Sequence, residues 1–376
     1  MQKRNRPLVG IITIVDLTNY GNRLQNYAVK EIIRQKRYSV QTIDIVKCAN
    51  ADYVKGVVCQ WIKEIPFMEM IVQKIKAKKS LEKRRYVNFL EFTRKNISTK
   101  TLLVRNDEDI KKKSHKYDFF VIGSDQIWNP LFKHAKSSDF VAFADPHQKV
   151  CFSPSFGISE IPKEYTANIA EWLSKIPHIS VREKAGAEIV KRLTGKTAEV
   201  LIDPTMMLDA DDWRKVAKKP LVDMEKKYML SYFLGKRTEE QKNRIEELKE
   251  KYGLEEYLLL DKSNPDLYAA GPGEFISLIE HADLVCTDSF HACVFSILFK
   301  RPFLVFQRNG NGSGMGSRLD NLLEKFHLET RNSDNNPNCE VFKCDFEKCD
   351  EILNEERKRV DNFLEMSFNQ KNNICS

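Results

Sequence analysis

The chain has 376 residues, 42% of them hydrophobic and 30% charged, with a formal net charge of +8. That composition excludes an intrinsically disordered chain, and no apolar run nears the roughly 20 residues a membrane-spanning helix needs. The length exceeds what one core usually serves and predicts two domains.

The opening MQKRNRPLVGIITIV is basic and then apolar. Its apolar part is short and lacks a small-residue cleavage site, so it reads as a first strand and not as a signal peptide. Polar DLTNYGNR follows as a turn, LQNYAVKEIIRQKRY as a helix with Leu24, Ala28, Ile32 and Ile33 on one face, and SVQTIDIV as a second strand. This is a βαβ unit with parallel strands. From Lys63 to Lys116 there are 16 Lys and Arg against 7 Asp and Glu, so the rest of the chain is close to neutral. The stretch reads as helical, broken near Pro66, with Phe89, Leu90 and Phe92 on an apolar face. As a charge run it predicts a solvated surface, and the alternative is peripheral contact with anionic membrane headgroups or a phosphate-bearing acceptor. Nucleic acid fits less well, because aromatics do not interleave with the charges in a recognisable module.

YDFFVIGSDQIW and KVCFSPSFGIS each read as a strand running into a turn. A second alternating series starts at HISVREKAGAEIV and continues through VLIDPTMML, KYMLSYFLG, a charged helix from Thr238 to Tyr252, LEEYLLLD and GPGEFISLIEHADLVCTDS. Two such series predict two Rossmann-like, doubly wound α/β domains facing a cleft. The expected bounds are 1–178 and 179–338, with a closing helix in 339–376 that carries Ile352, Leu353, Val360, Phe363 and Leu364 at helical spacing. Nine cysteines, an odd number scattered along the chain, fit reduced thiols in a cytoplasmic protein. Cys339, Cys344 and Cys349 lack paired C-x-x-C spacing and a nearby histidine, so no metal site is expected.

Ligands of open α/β sheets bind beyond the carboxyl ends of the strands. Five such turns are polar or Gly-bearing: Asn19–Asn22, Gly123–Gln126, Ser155–Gly157, Val181–Glu183 and Thr287–His291. With Thr287 or Asp288 as N-cap, His291 falls in the first turn of an apolar helix, where unpaired N–H groups and the helix dipole attract anions. A structural histidine bonded to a neighbouring turn fits the same position. Arg182 closes HISVR, where a guanidinium can take a carboxylate or phosphate bidentately. The run RNGNGSGMGSR, from Arg308 to Arg318, follows another strand. It reads equally as a mobile loop or as an anion-binding backbone.

The ordered set NYGNRLQNYAV, YDFFVIGSDQIWNP, SFGIS, ISVREKAGAEIV, VLIDPTMML and ADLVCTDSFHACVFSILFKRPF resembles the polysaccharide pyruvyl transferase family across about residues 8–328. Members have two Rossmann-like domains similar to GT-B glycosyltransferases. They transfer a pyruvyl group from phosphoenolpyruvate to two hydroxyls of a sugar in capsule or exopolysaccharide synthesis. The cysteines and the basic region 63–116 predict a cytoplasmic location with peripheral contact at the inner membrane face, and the acceptor is expected to be a sugar that can be lipid-linked. The resemblance implies an enzyme with no cofactor beyond the donor substrate. It implies that His291 is the general acid and that Arg182 binds the donor. Family members carry R-L-H where this chain has Ser289, Phe290 and His291, so the missing cation falls to Arg318 or Arg308. Acceptor binding is expected at Asn19, Tyr20, Asn22, Asp125, Gln126 and Trp128, whose amides, carboxylate and rings suit sugars. The competing readings are a GT-B glycosyltransferase using a nucleotide sugar and a non-catalytic, glycan-binding relative.

Overall fold

The computed structural model describes residues 6–48, 80–133, 136–309 and 316–369. Residues 63–79 of the basic stretch and 310–315 of the glycine-rich run lie outside the described residues. The chain divides into two α/β units. The first holds Met1–Lys79, Leu90–Met207 and Arg357–Ser376, and the second Ser80–Phe89 and Leu208–Glu356.

In the first unit β1 (Leu8–Ile12), β2 (Ser39–Lys47), β3 (Thr99–Val104), β4 (Phe119–Ile122) and β5 (Lys149–Cys151) form one sheet in the order β3-β2-β1-β4-β5. Every pairing in it is parallel. Parallel strands need crossovers that cover the sheet faces, so the inner strands read as apolar runs and not as alternating ones. β4 accordingly is FFVI, with all four residues buried. The strand order reverses between β1 and β4, which places the usual ligand position of such sheets at their carboxyl ends. The helix Tyr20–Gln35 starts there, capped by the Asn19 side chain on the Asn22 N–H.

The second unit has β8 (Tyr228–Tyr232), β9 (Glu255–Leu258), β10 (Leu284–Thr287) and β11 (Phe303–Val305) in the order β11-β10-β8-β9, again all parallel. Its order reverses between β8 and β10. The charged helix Glu239–Tyr252 is set by a reciprocal capping box between Thr238 and Gln241 and stopped by left-handed Gly253 at φ 62°, the backbone region glycine enters without steric cost. By contrast all nine residues of the helix Phe290–Leu298 are buried. An element apolar on every side can only be core.

Both units are parallel α/β as expected, but the division between them differs from the break near residue 178. β6 (Ser180–Val181) and β7 (Glu199–Val200) pair with each other and stay with the first unit. The cause is polar stitching. The Ser180 hydroxyl accepts from the Ser153 N–H at 3.0 Å and donates to the Cys151 carbonyl at 3.1 Å, and the Arg182 N–H donates to Pro154 O at 3.2 Å.

The expected closing helix runs over Phe346–Phe368 and belongs to neither unit alone. From Arg357 onward it is part of the first unit, where Arg357 Nε donates to Met206 O and Phe368 stacks on Tyr38 at 4.6 Å. The basic helix Leu81–Asn96 is not simply a solvated face. Arg85 is buried, lies over the Phe89 ring and donates to the carbonyls of Tyr268 and Ala270, while Asn88 donates to Ala269 O.

The buried helix Phe290–Leu298 contributes Phe295 to a cluster of rings in the second unit. Phe295 is fully buried, edge-on to Trp213 at 4.8 Å and to Phe275 at 6.0 Å. Phe295→Ala is expected to lower unfolding stability by about 3–5 kcal/mol through the cavity it leaves, measurable by urea titration followed by tryptophan fluorescence.

Candidate active site

In the first unit the strand-end turns form one hydrogen-bonded network. The backbone passes from β4 through Gly123 and Ser124 to Asp125, which takes a left-handed φ of 72°, a conformation aspartate tolerates better than most residues. Asp125 Oδ1 accepts from its neighbour's Gln126 N–H at 2.9 Å, and Oδ2 accepts from Asn22 Nδ2 at 3.1 Å. The other end of the Asn22 amide is fixed as well. Its Oδ1 accepts from the Asp16 N–H at 2.9 Å and from Arg23 Nε at 3.1 Å, so Nδ2 has to face Asp125. Arg23 is fully buried and also donates to Ile14 O at 2.9 Å. Burial pushes its guanidinium down to about 10, with Asp16, Asp125 and Asp44 opposing that shift.

The centre of the network is an ion pair. Arg182 Nη1 lies 2.7 Å from Asp203 Oδ2, with side chains 2% and 0% exposed, and Arg182 Nη2 lies 4.0 Å from Asp125 Oδ1. Burial by itself would lower the Arg182 pKa. Asp203 first, then Asp125 and Glu183, outweigh it and leave it raised. Asp203 Oδ2 also takes the Ser124 hydroxyl at 2.8 Å, and Oδ1 takes both the N–H and the hydroxyl of Thr205. Next to Arg182, Glu183 Oε1 accepts from the Ser155 hydroxyl and the N–H groups of Phe156 and Gly157 at 3.0 to 3.3 Å. Gly157 has φ 65°, and a Cβ there would stand 2.5 Å from Gln126 Cδ. Only glycine lets the two turns close on each other.

In the second unit His291 lies where β10 hands over to the helix Phe290–Leu298. Ser289 is the N-cap, without a side-chain cap bond, and not Thr287 or Asp288. Those two residues do other work. The Thr287 hydroxyl donates to Tyr232 O and accepts from the Ser289 N–H at 3.0 Å, which locks the turn to β8. Asp288, 1% exposed, accepts from the N–H groups of Leu234 at 2.7 Å and Gly235 at 2.8 Å and from Arg308 Nε at 3.3 Å. Arg308 Nη2 donates to the Asp288 carbonyl at 2.9 Å as well. One carboxylate therefore binds the ends of β8, β10 and β11 together beside the histidine. His291 is 8% exposed, and its ring meets Phe290 edge-on at 5.3 Å.

Asn19, Asn22, Asp125 and Gln126 are thus gathered at one end of the first sheet. Tyr20 and Trp128 do not share that role as expected, because both are fully buried. Trp128 stacks on Phe140 at 5.1 Å and donates from Nε1 to Asp139 O at 3.1 Å, so no ring face is left for a sugar. Arg182 belongs to the first unit, whereas His291, Ser289, Phe290, Arg308 and Arg318 belong to the second. Arg308 is held on the His291 turn, and Arg318 is buried in the first turn of the helix Gly316–Lys325. Sequence reasoning missed Arg23 and Asp203, and read Asp288 only as a possible N-cap within its turn. The only signal was that each lies inside a motif, since a buried charge has no spacing rule of its own.

Removing the arginine of the central pair strands a buried carboxylate. Arg182→Met is therefore expected to cost about 3–5 kcal/mol of stability. Chemical denaturation checks this, and a loss below about 1 kcal/mol would mean that Ser124 and Thr205 suffice for Asp203.

Against known proteins, the family model described as polysaccharide pyruvyl transferase matches residues 19–310. No curated protein matches the sequence. Among solved structures, the chain is similar to a glycosyltransferase from Rickettsia africae ESF-5 at 9% identity and TM-score 0.45, covering 99% of this chain and 97% of that one. It is also similar to UDP-GlcNAc 2-epimerase from Neisseria meningitidis bound to UDP-GlcNAc, at 10% identity and TM-score 0.41, covering 94% and 100%. With a family match that spans most of the chain and contains both the Asn19–Asp125 turns and His291, the protein belongs to the polysaccharide pyruvyl transferase family and is a transferase.

Proposed function

We propose that the protein moves a pyruvyl group from phosphoenolpyruvate to two hydroxyls of a sugar, with His291 as the general acid. The observation that carries this reading is the setting of His291. An ionisable ring stands in the first turn of a fully buried helix, at the strand-order reversal of the second sheet, beside the Asp288–Arg308 clamp. A first helical turn offers N–H donors to an anion, and a rigid core element holds an acid within the small tolerance catalysis needs.

The chemistry asks for such a group. Phosphoenolpyruvate carries a carboxylate and a phosphate on an electron-rich double bond. Protonating its methylene carbon leaves a cation at C2 that an attached oxygen stabilises. A sugar hydroxyl adds to C2 and loses its proton, the C2–O bond to phosphate breaks, and a second hydroxyl closes the ketal. Histidine is the side chain most readily tuned to donate that proton near neutral pH. With Ser289 in place of an arginine, the cation nearest to hand in this reading is Arg308, which already grips the turn from the β11 side. The polar turn of Asn19, Asn22, Asp125 and Gln126 is assigned to acceptor hydroxyls. The buried pairing of Arg182 with Asp203 suits it to holding those turns in shape, and the donor assignment rests on the His291 turn alone. Among the described residues no helix is long and apolar enough to cross a membrane. A lipid-linked acceptor would be met from outside the bilayer.

Purified protein supplied with phosphoenolpyruvate and sugar acceptors is expected to release phosphate and yield a pyruvylated sugar detectable by mass spectrometry. His291→Gln should lower that rate about 10²–10⁴-fold without moving the unfolding midpoint. Normal turnover by this variant on a verified acceptor would remove His291 from the role. Nucleotide release from a nucleotide sugar, in place of phosphate release, would make the enzyme a glycosyltransferase.

A further inference from the structure

Pyruvyl transfer as written above leaves a proton without a recipient. Each sugar hydroxyl that bonds to C2 gives up its proton, while His291 is engaged in giving one to the methylene carbon. Of the four residues assigned to the acceptor, Asn19, Asn22 and Gln126 carry amides, which hydrogen-bond a hydroxyl but do not take its proton near neutral pH. Asp125 carries a carboxylate, the group that can.

The setting of Asp125 differs from that of the other acids in the strand-end turns. Its side chain is 16% exposed, against 0% for Asp203, and Glu183 is 1% exposed. Asp203 and Glu183 take their donors from inside the protein. Asp16 turns Oδ1 back onto the N–H and hydroxyl of Thr18, both at 2.7 Å, and Asp107, after β3, pairs with Lys47 at 2.6 Å. Asp125 stands beyond β4, at the reversal of strand order where ligands of such sheets bind. Its carboxylate is aimed, since the Gln126 N–H fixes one oxygen and Asn22 Nδ2 the other. Its backbone is fixed as well. The Asp125 carbonyl accepts from the Ser155 N–H at 2.8 Å, with φ held at 72°. A non-glycine residue held in that region is strained, and strain of this kind gathers at functional sites.

We propose, resting on the pyruvyl-transfer reading, that Asp125 is the general base that takes the proton of the attacking sugar hydroxyl. The O–H bond breaks toward an Asp125 oxygen as the hydroxyl oxygen bonds to C2, and the carboxyl group then passes the proton to solvent. The same exchange serves the second hydroxyl once the C2–O bond to phosphate has broken. Two hydroxyl protons are released. One replaces the proton that His291 gives to the methylene carbon, and the other leaves on the phosphate. Nothing is oxidised or reduced.

The test uses the full-length protein with phosphoenolpyruvate and sugar acceptors. Asn tolerates a left-handed backbone, and Gly enters it freely while opening room for a small carboxylate, so Asp125→Asn and Asp125→Gly both suit φ 72°. Each should lower kcat about 10²–10⁴-fold, with the acceptor KM kept within about threefold of wild type. Formate should raise the kcat of Asp125→Gly at least about tenfold, an effect that an aspartate with a structural role alone would not show. Turnover by Asp125→Asn within about tenfold of wild type, a rise in acceptor KM with kcat kept, or no rescue by formate would overturn the base assignment and leave pyruvyl transfer standing. A wild-type protein that pyruvylates no sugar would overturn both.

Discussion

The salt bridge between Arg182 and Asp203, 2.7 Å long and almost wholly out of water, is the constraint on which the first unit's functional end depends. A buried pair of this kind is not favourable because it is charged, since desolvation offsets most of the attraction. It holds because every remaining lone pair of Asp203 is used, by Ser124 and by Thr205. Ser124 belongs to the turn after β4, Arg182 to the turn after β6 and Thr205 to the segment after β7. The pair thus fixes three turns whose conformations would otherwise be independent. Asp125 is then presented in a left-handed backbone, with Asn22 and Arg23 orienting its second oxygen.

The second unit solves the same problem with one carboxylate and mostly backbone donors. Asp288 receives two N–H groups from the loop after β8 and the guanidinium of Arg308 from the chain after β11. In both units a parallel sheet leaves its strand ends without ladder partners, and a buried acid supplies the acceptors that organise them. In each unit the acid is held by the strand-end turns that it joins.

Much of this was legible in the residues. Apolar runs marked the parallel strands, the charged run from Thr238 marked a helix, and the apolar stretch after His291 marked a buried helix, because periodicity is a local property. The polar turns were recognisable for the same reason. The domain break was not. It depended on whether two short strands joined the sheet before or after them, and the decision came from the Ser180 hydroxyl and the Arg182 N–H, neither of which leaves a pattern in sequence. Trp128 shows the complementary failure: an aromatic beside polar residues looks like a sugar platform until its stacking on Phe140 is seen.

By itself the sequence determined the α/β class, the family and the position of His291 at a helix start, since these follow from local spacing and from motifs in order. Tertiary structure alone decided which charges are spent internally. Arg182 and Asp288 stand in strand-end turns where a ligand-binding residue would also stand, and only burial and partners reveal that both are engaged in holding those turns. The physical reason is the same throughout: a charge is given its meaning by the dielectric and the partners around it, and neither is a property of the residue's neighbours in the chain.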